Sequence, residues 1–262
     1  MTTFLQATVE GLSLAAIYSL VAIGFVLIYK SMDVLSFAQP ALAVVGAGII
    51  SALAVDRGFP FLPSLFLAIL LTGILSAIVE RTFLRPMVGE PVFAVAVLTI
   101  GIDILLRALL DSWIGVSPRY LGDPFPTYGT LGSFNVAGVN LKYLEISALI
   151  TAIILISILS IFFKKSKYGV AMRATSFDQE AALAQGVNVG RIFGLVWFIA
   201  GILAAFSGFF MTGGFNTLSP LSFAKALRAL PAVVIGGLDS IPGAIVGSII
   251  ICPVSYTHLR AH

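Results

Sequence analysis

Charge is what this chain has least of. Only 10% of its 262 residues are Asp, Glu, Lys or Arg, against about a quarter in an ordinary soluble domain. That leaves too little polar surface for a water-soluble particle of this length and points to an integral membrane protein. Histidine is scarce as well: the two present, His258 and His262, both fall in the final segment "PVSYTHLRAH". The single cysteine, Cys252, sits in an apolar run. It excludes an intramolecular disulfide and leaves no cysteine cluster for a metal. No G-x-x-x-x-G-K-[ST] occurs, so ATP binding and hydrolysis by a P-loop are excluded. Nor is there a G-x-S-x-G, an H-E-x-x-H or a pair of aspartates in adjoining spans, so intramembrane proteolysis has no support. The chain reads as no enzyme, with no metal site. Its N-terminus, "MTTFLQATVE", lacks a basic n-region and an A-x-A site, so the first apolar run is expected to be retained as a helix.

What is present is apolar: 59% hydrophobic residues, twenty Phe and a mean hydropathy of +1.06. Seven runs approach the roughly 20 residues that a spanning helix needs: Leu12–Tyr29, Pro40–Val55, Phe61–Val79, Val92–Leu110, Leu144–Phe163, Phe193–Thr212 and Leu230–Cys252. The fold class is all-α and polytopic; the short alternating stretches of a membrane β-barrel are absent. Two runs are irregular. The second carries Pro40 near its start, and the last is interrupted by Gly236, Gly237, Asp239 and Pro242. A broken helix at membrane depth survives where protein or a water-filled cavity covers the freed backbone groups, and in transporters it marks the pathway. A helix that simply ends in a surface loop near Asp239 is the alternative, and both readings stay open.

The net charge of +3 suggests nucleic acid, but the basic residues stand at the ends of apolar runs, where orientation in the bilayer accounts for them. Five of the fifteen Lys/Arg fall in Lys164–Arg191, which is therefore expected on the cytoplasmic side. Alternation places Lys30, Arg81 and Arg85 on that side too, and the N-terminus and the loop Asp111–Tyr143 outside. Lys225 and Arg228 then fall outside, against the trend. The outer loop, rich in Gly and Pro, is expected to hold a small hairpin from Thr130 to Leu141. Residues 1–252 are read as one transmembrane domain with no second soluble domain.

Asp103 and Arg107 stand four apart in one span and are expected to pair from one helix face. A structural ion pair is the favoured reading and a polar permeation route the other. Glu10 reads as interfacial. The small-residue clusters, at 46–48, 213–214, 236–237 and the pair Gly243/Gly247, read as packing positions. In "VAMRATSFDQEAALAQGVNVGRIFG", Ser176 is expected to N-cap a short helix with Asp178 and Glu180 in its first turn. Gly186 is the expected C′ residue that stops it, with a new span from about Arg191.

The pattern R-A-x-x-x-D-x-x-A-A-x-x-x-G-V-N-V-x-R, from Arg173 to Arg191, resembles the cytoplasmic coupling loop of branched-chain amino acid ABC transporter permeases. "GLSLAAIYSLVAIGFVLIYKSMDVLSFAQPALAVVGA" is similar to the opening helices of that family, and "GGLDSIPGAIVGSII" to its late glycine-rich stretch. The likeness runs from Gly11 to Ile251 and is closer to the H-type than to the M-type permease. It implies a plasma (inner) membrane permease of a bacterium or archaeon, moving branched-chain or other hydrophobic amino acids. The implied partners are a second, M-type permease, two cytoplasmic ATPases that use the ATP, an extracytoplasmic solute-binding protein and membrane lipids. No cofactor is bound by this chain. By the same resemblance Phe37, Gln39, Pro40, Gly236, Gly237 and Asp239 border the substrate pathway. Arg173, Asp178, Ala181, Ala182, Gly186, Asn188 and Arg191, within the loop 164–191, form the ATPase coupling element.

The sequence departs from the family where Ser36-Phe37-Ala38-Gln39-Pro40 replaces N-F-A-H-G and where Asp239 replaces a small residue. Gln39 cannot titrate, and a urea or short-amide cargo becomes an alternative. A stand-alone ion-coupled transporter is the rival class; it calls for acids deep in several spans, and only Asp103 is clearly so placed. Residues 253–262 resemble translated adapter read-through and are set aside; the expectation is seven spans, with an eighth possible in a full-length protein.

Overall fold

The computed structural model describes residues 2–121, 132–136, 139–213 and 217–260. Among the described residues six helices are long and apolar enough to cross a membrane, and one pair bent by 118° forms a broken span or a re-entrant loop. Helix α1 (Thr2–Met32) contains no proline and runs 31 residues. A turn with Asp33 at φ +53° leads into α2 (Ala38–Ser51), where Pro40 lies in the first turn, as expected, and needs no N–H partner. Helix α2 continues as a π turn, Ala52–Asp56. Next come α3 (Phe61–Val79), its π-helical extension Glu80–Leu84, and α4 (Val92–Ile114). Strands β1 (Ser133–Val136) and β2 (Val139–Lys142) pair antiparallel with Ser133 opposite Lys142. They form the described part of the expected hairpin; residues 122–131 and 137–138 of that loop lie outside the described residues. So do Gly214 and His262.

Helix α5 (Tyr143–Lys165) is followed by α6 (Lys167–Phe177) and α7 (Gln179–Ala184), then by α8 (Val189–Thr212). The last crossing region is α9 (Leu221–Leu227), α10 (Ala229–Gly236) and α11 (Ile241–Arg260). The core lies among α1, α2 and α8: every residue of α2 is buried, and α1 packs on both α8 and α11. Helices α4 and α5 present Ile104, Leu109, Ile153 and Ile158 outward instead, the apolar surface that a bilayer covers.

Two expectations change here. The run Leu230–Cys252 is not one span. Its arms, 221–236 and 241–252, bend by 118° and pack against each other. A Cβ on Gly236 or Gly243 would strike the other's backbone, so only glycine permits this approach. The cytoplasmic segment holds two helices, not one. Ser176 lies inside α6, and the N-cap of α7 is Asp178, whose carboxylate accepts from the Ala181 N–H at 2.9 Å. The tract "MRATS" continues as helix from α6, so the chain turns two residues later than expected.

Contacts sort the connections into two ends. At one, Lys30 Nζ donates to the Asp239 carbonyl and Arg85 to the Gly190 carbonyl. At the other, Arg119 pairs with Asp56 and forms a bridge with Leu218, and Gln6 bonds Asn140. The first end carries the basic segment and is cytoplasmic by the bias of Lys and Arg.

Candidate functional site

The sequence-expected residues fall into three places. The first is the start of α2. Gln39 is fully buried; its amide Nε2 donates to the Ala200 carbonyl of α8 at 3.0 Å. Gly24 of α1 makes room for it, since a Cβ there would collide with the amide. Its Oε1 has no partner among the described residues, and the hydroxyl of Ser36, also buried, has none either. Unsatisfied buried polar atoms are costly, so two of them in one turn mark this spot. The Phe37 N–H donates to Thr99 Oγ1 of α4 at 3.1 Å, which fixes the entry of α2 against that helix. Pro40 is buried beside them.

The second place is the turn at Gly237–Ser240. Gly237 takes φ +93°, a conformation that suits glycine alone, and ends α10. Asp239 is exposed, and its main-chain oxygen, not its carboxylate, accepts from Lys30. This turn belongs to the cytoplasmic end, next to an open cleft lined by Tyr29, Lys30, Asp33, Arg173, Phe177 and Asp239. The surface-loop reading of Asp239 is the one the geometry supports. Gln39 and Asp239 keep different company: Gln39 lies against Gly24 and Ala200, Asp239 against Lys30.

The third place is the cytoplasmic segment. Ser166 caps α6 by accepting from Gly169 N, and Arg173 donates back to the Phe163 carbonyl. Gly186, at φ +81°, closes α7. Its N–H bonds the Leu183 carbonyl and that of Val187 the Ala182 carbonyl, the paired 5→2 and 6→1 arrangement of a Schellman stop. Asn188 accepts from the Arg191 N–H and begins α8. Asp178, Gly186 and Asn188 thus shape the segment. Ala182 is buried, whereas Ala181, Leu183 and Arg191 face out. Phe177, missed from the sequence, is 95% exposed.

Two charge clusters complete the picture. Asp103 and Arg107 form the expected pair, with Nη2 to Oδ2 at 2.6 Å, and the guanidinium also stacks over Phe223 of α9 at 4.1 Å. The second was not anticipated. Glu80 has no solvent exposure and takes both Nε and Nη2 of Arg85, at 3.1 and 2.9 Å. Residues five apart do not share a face of an α-helix, but the π turn from Glu80 to Leu84 brings them together. The same Arg85 nitrogen donates to Gly190 in the first turn of α8.

A protein-family model described as "Branched-chain amino acid transport system / permease component" matches residues 7–258. Among curated relatives is the high-affinity branched-chain amino acid transport system permease protein BraD of Pseudomonas aeruginosa. It is 26% identical over 257 residues, covering 95% of this chain and 84% of the relative. The permease LivH of Escherichia coli K12, of the same description, is 26% identical over 257 residues, covering 95% and 83%. The galactose/methyl galactoside import permease protein MglC of Haemophilus influenzae is 27% identical over 265 residues, covering 94% and 76%. No solved structure matches.

Proposed function

The chain belongs to the family of branched-chain amino acid transport permease components, and from that premise we propose that it carries branched-chain or other hydrophobic amino acids inward, powered by ATP hydrolysis on separate subunits. It is a multi-pass protein of the inner membrane. The match to the family over nearly the whole chain is the observation that carries this reading.

The division of labour follows from the residues. This chain has no P-loop, so two cytoplasmic ATPases supply the energy, and no cofactor or enzymatic activity is assigned to the chain itself. A second, M-type permease and an extracytoplasmic binding protein complete the assembly. The turn of Ser36 and Gln39, with its two unpaired buried polar atoms, borders the pathway together with Phe37 and Pro40. Gly236, Gly237 and Asp239 sit at its inner mouth. The segment α6–α7 is the handle. Its exposed Phe177 and Leu183 enter a groove of the ATPase, flanked by Arg173, Ala181 and Arg191, while Asp178, Ala182, Gly186 and Asn188 keep its shape. Closure of the ATPase pair pulls α8 through Arg85 and Gly190. Such coupling requires contacts that differ between two states of the bundle.

Reconstitution with the partner subunits tests the proposal. Radiolabelled L-leucine should accumulate in proteoliposomes only with ATP, and galactose should not compete. Leucine uptake with no ATPase present, or galactose uptake in its place, would overturn it. Leu183→Glu with Phe177→Ala should leave the chain in the membrane and abolish stimulated ATP hydrolysis. Ala182, being buried, is a probe of packing instead.

A further inference from the structure

Arg228 occupies the junction between α9 and α10. Alternation along the sequence places it outside the membrane; the fold places it half-way through. It lies where α10 packs against α1, the helix that carries Tyr18. Tyr18 is twelve residues from both Gln6 and Lys30 on the continuous helix α1, about 18 Å from either end. Measured along α10, eight residues separate the junction from the inner turn, about 12 Å. The hydrocarbon core is about 30 Å thick, so the guanidinium stands near its middle. Four ion pairs form among the described residues, and Arg228 is in none of them.

Its direction matters as much as its depth. Leu221, Ala224, Arg228, Pro231 and Ile235 are all exposed. They follow one another at steps of three and four, so they form one stripe that continues across the break. Were the stripe to face lipid, an unpaired cation would lie in hydrocarbon with half the membrane to cross in either direction. At the α9–α10 junction Arg228 keeps helical angles and its N–H bonds the Lys225 carbonyl, so the stripe runs on without a change of direction.

Building on the transport reading above, we propose that Arg228 faces the aqueous passage and binds the carboxylate of the solute as it crosses. A carboxylate on a partner chain or a lipid environment are the competing occupants.

The test uses the complete transporter in proteoliposomes. In a Cys252→Ala background, Arg228→Cys should react with a membrane-impermeant cationic methanethiosulfonate at least about tenfold faster than Ile153→Cys on the outward face of α5, and L-leucine should slow it. Arg228→Met should raise the KM for L-leucine about tenfold or more, the loss expected for one charged hydrogen bond. Arg228→Lys should recover most of the affinity. Wild type should prefer L-leucine to L-leucinamide, and Arg228→Met should lose that preference. An unreactive Arg228→Cys, as lipid or a partner carboxylate would give, overturns the proposal, as does normal discrimination by Arg228→Met. Fast labelling at 228 with no leucine uptake by the wild type sinks the cargo reading and leaves the exposure of Arg228 to the passage intact. Slow labelling with normal uptake does the reverse.

Discussion

At the cytoplasmic end, Arg85 forks onto a carboxylate with no solvent exposure and also reaches the first turn of α8. At the outer end, Arg119 meets Asp56 with 28% and 42% of the two side chains in the open, and Lys142 meets Glu145 in a similar setting. Both ends use arginine–carboxylate pairs, yet they do different work. An exposed pair competes with water and contributes about 0–1 kcal/mol. A pair with one member buried adds little net stability over apolar packing, but removing its partner strands a charge. The inner pair therefore locks α3 to α8, whereas the outer pairs guide loops without fixing them.

Four measurements probe the contrast, taken from the largest expected effect downwards. Arg85→Ala leaves the Glu80 carboxylate buried and alone, and should cost about 3–5 kcal/mol, seen as a lowered unfolding temperature in detergent. Replacing both residues with leucine should restore most of the loss, because no charge remains to be stranded. Gln39→Ala removes the amide that satisfies the Ala200 carbonyl and should cost about 1–3 kcal/mol in the same assay. Gly186→Ala forces a side chain into the left-handed turn that ends α7. It should cost about 1–2 kcal/mol, confined to α7 and its stop, so hydrogen exchange should quicken in residues 178–188 and not in α1. Arg119→Ala should change stability by less than about 1 kcal/mol, and added salt should shrink the difference further. Equal losses for Arg85→Ala and Arg119→Ala would erase the distinction between the two ends.

Much of the fold is legible in the chain because membrane insertion is a local property. Uninterrupted apolar length marked α1, α3, α4, α5 and α8, and basic residues marked the end that Lys30, Arg85 and Arg173 share. Gly186 announced the stop of α7, since few other residues accept its backbone angles. The misreadings have equally physical causes. Ser176 and Asp178 are both good N-caps, and the choice between them depends on how far α6 runs before it turns. The pairing of Glu80 with Arg85 had no signal in the chain, because a spacing of five joins residues only in a π turn. Asp239 left a broken span and a surface loop equally open, since nothing local reveals that α10 and α11 fold back on each other through Gly236 and Gly243. Arg228 looked external for the same reason.

The motifs between Gly11 and Ile251 carried the family resemblance; composition and the order of apolar runs by themselves determined that this is a helical membrane protein and which segment lies inside. These depend on transfer from water to hydrocarbon, a sum over neighbours in sequence. Only the tertiary structure decided that Arg228 stands at mid-depth, that Glu80 is clasped, and that Phe177 is bare while Ala182 is covered. Those outcomes depend on where helices bend and which faces meet, and a one-dimensional pattern does not carry that information.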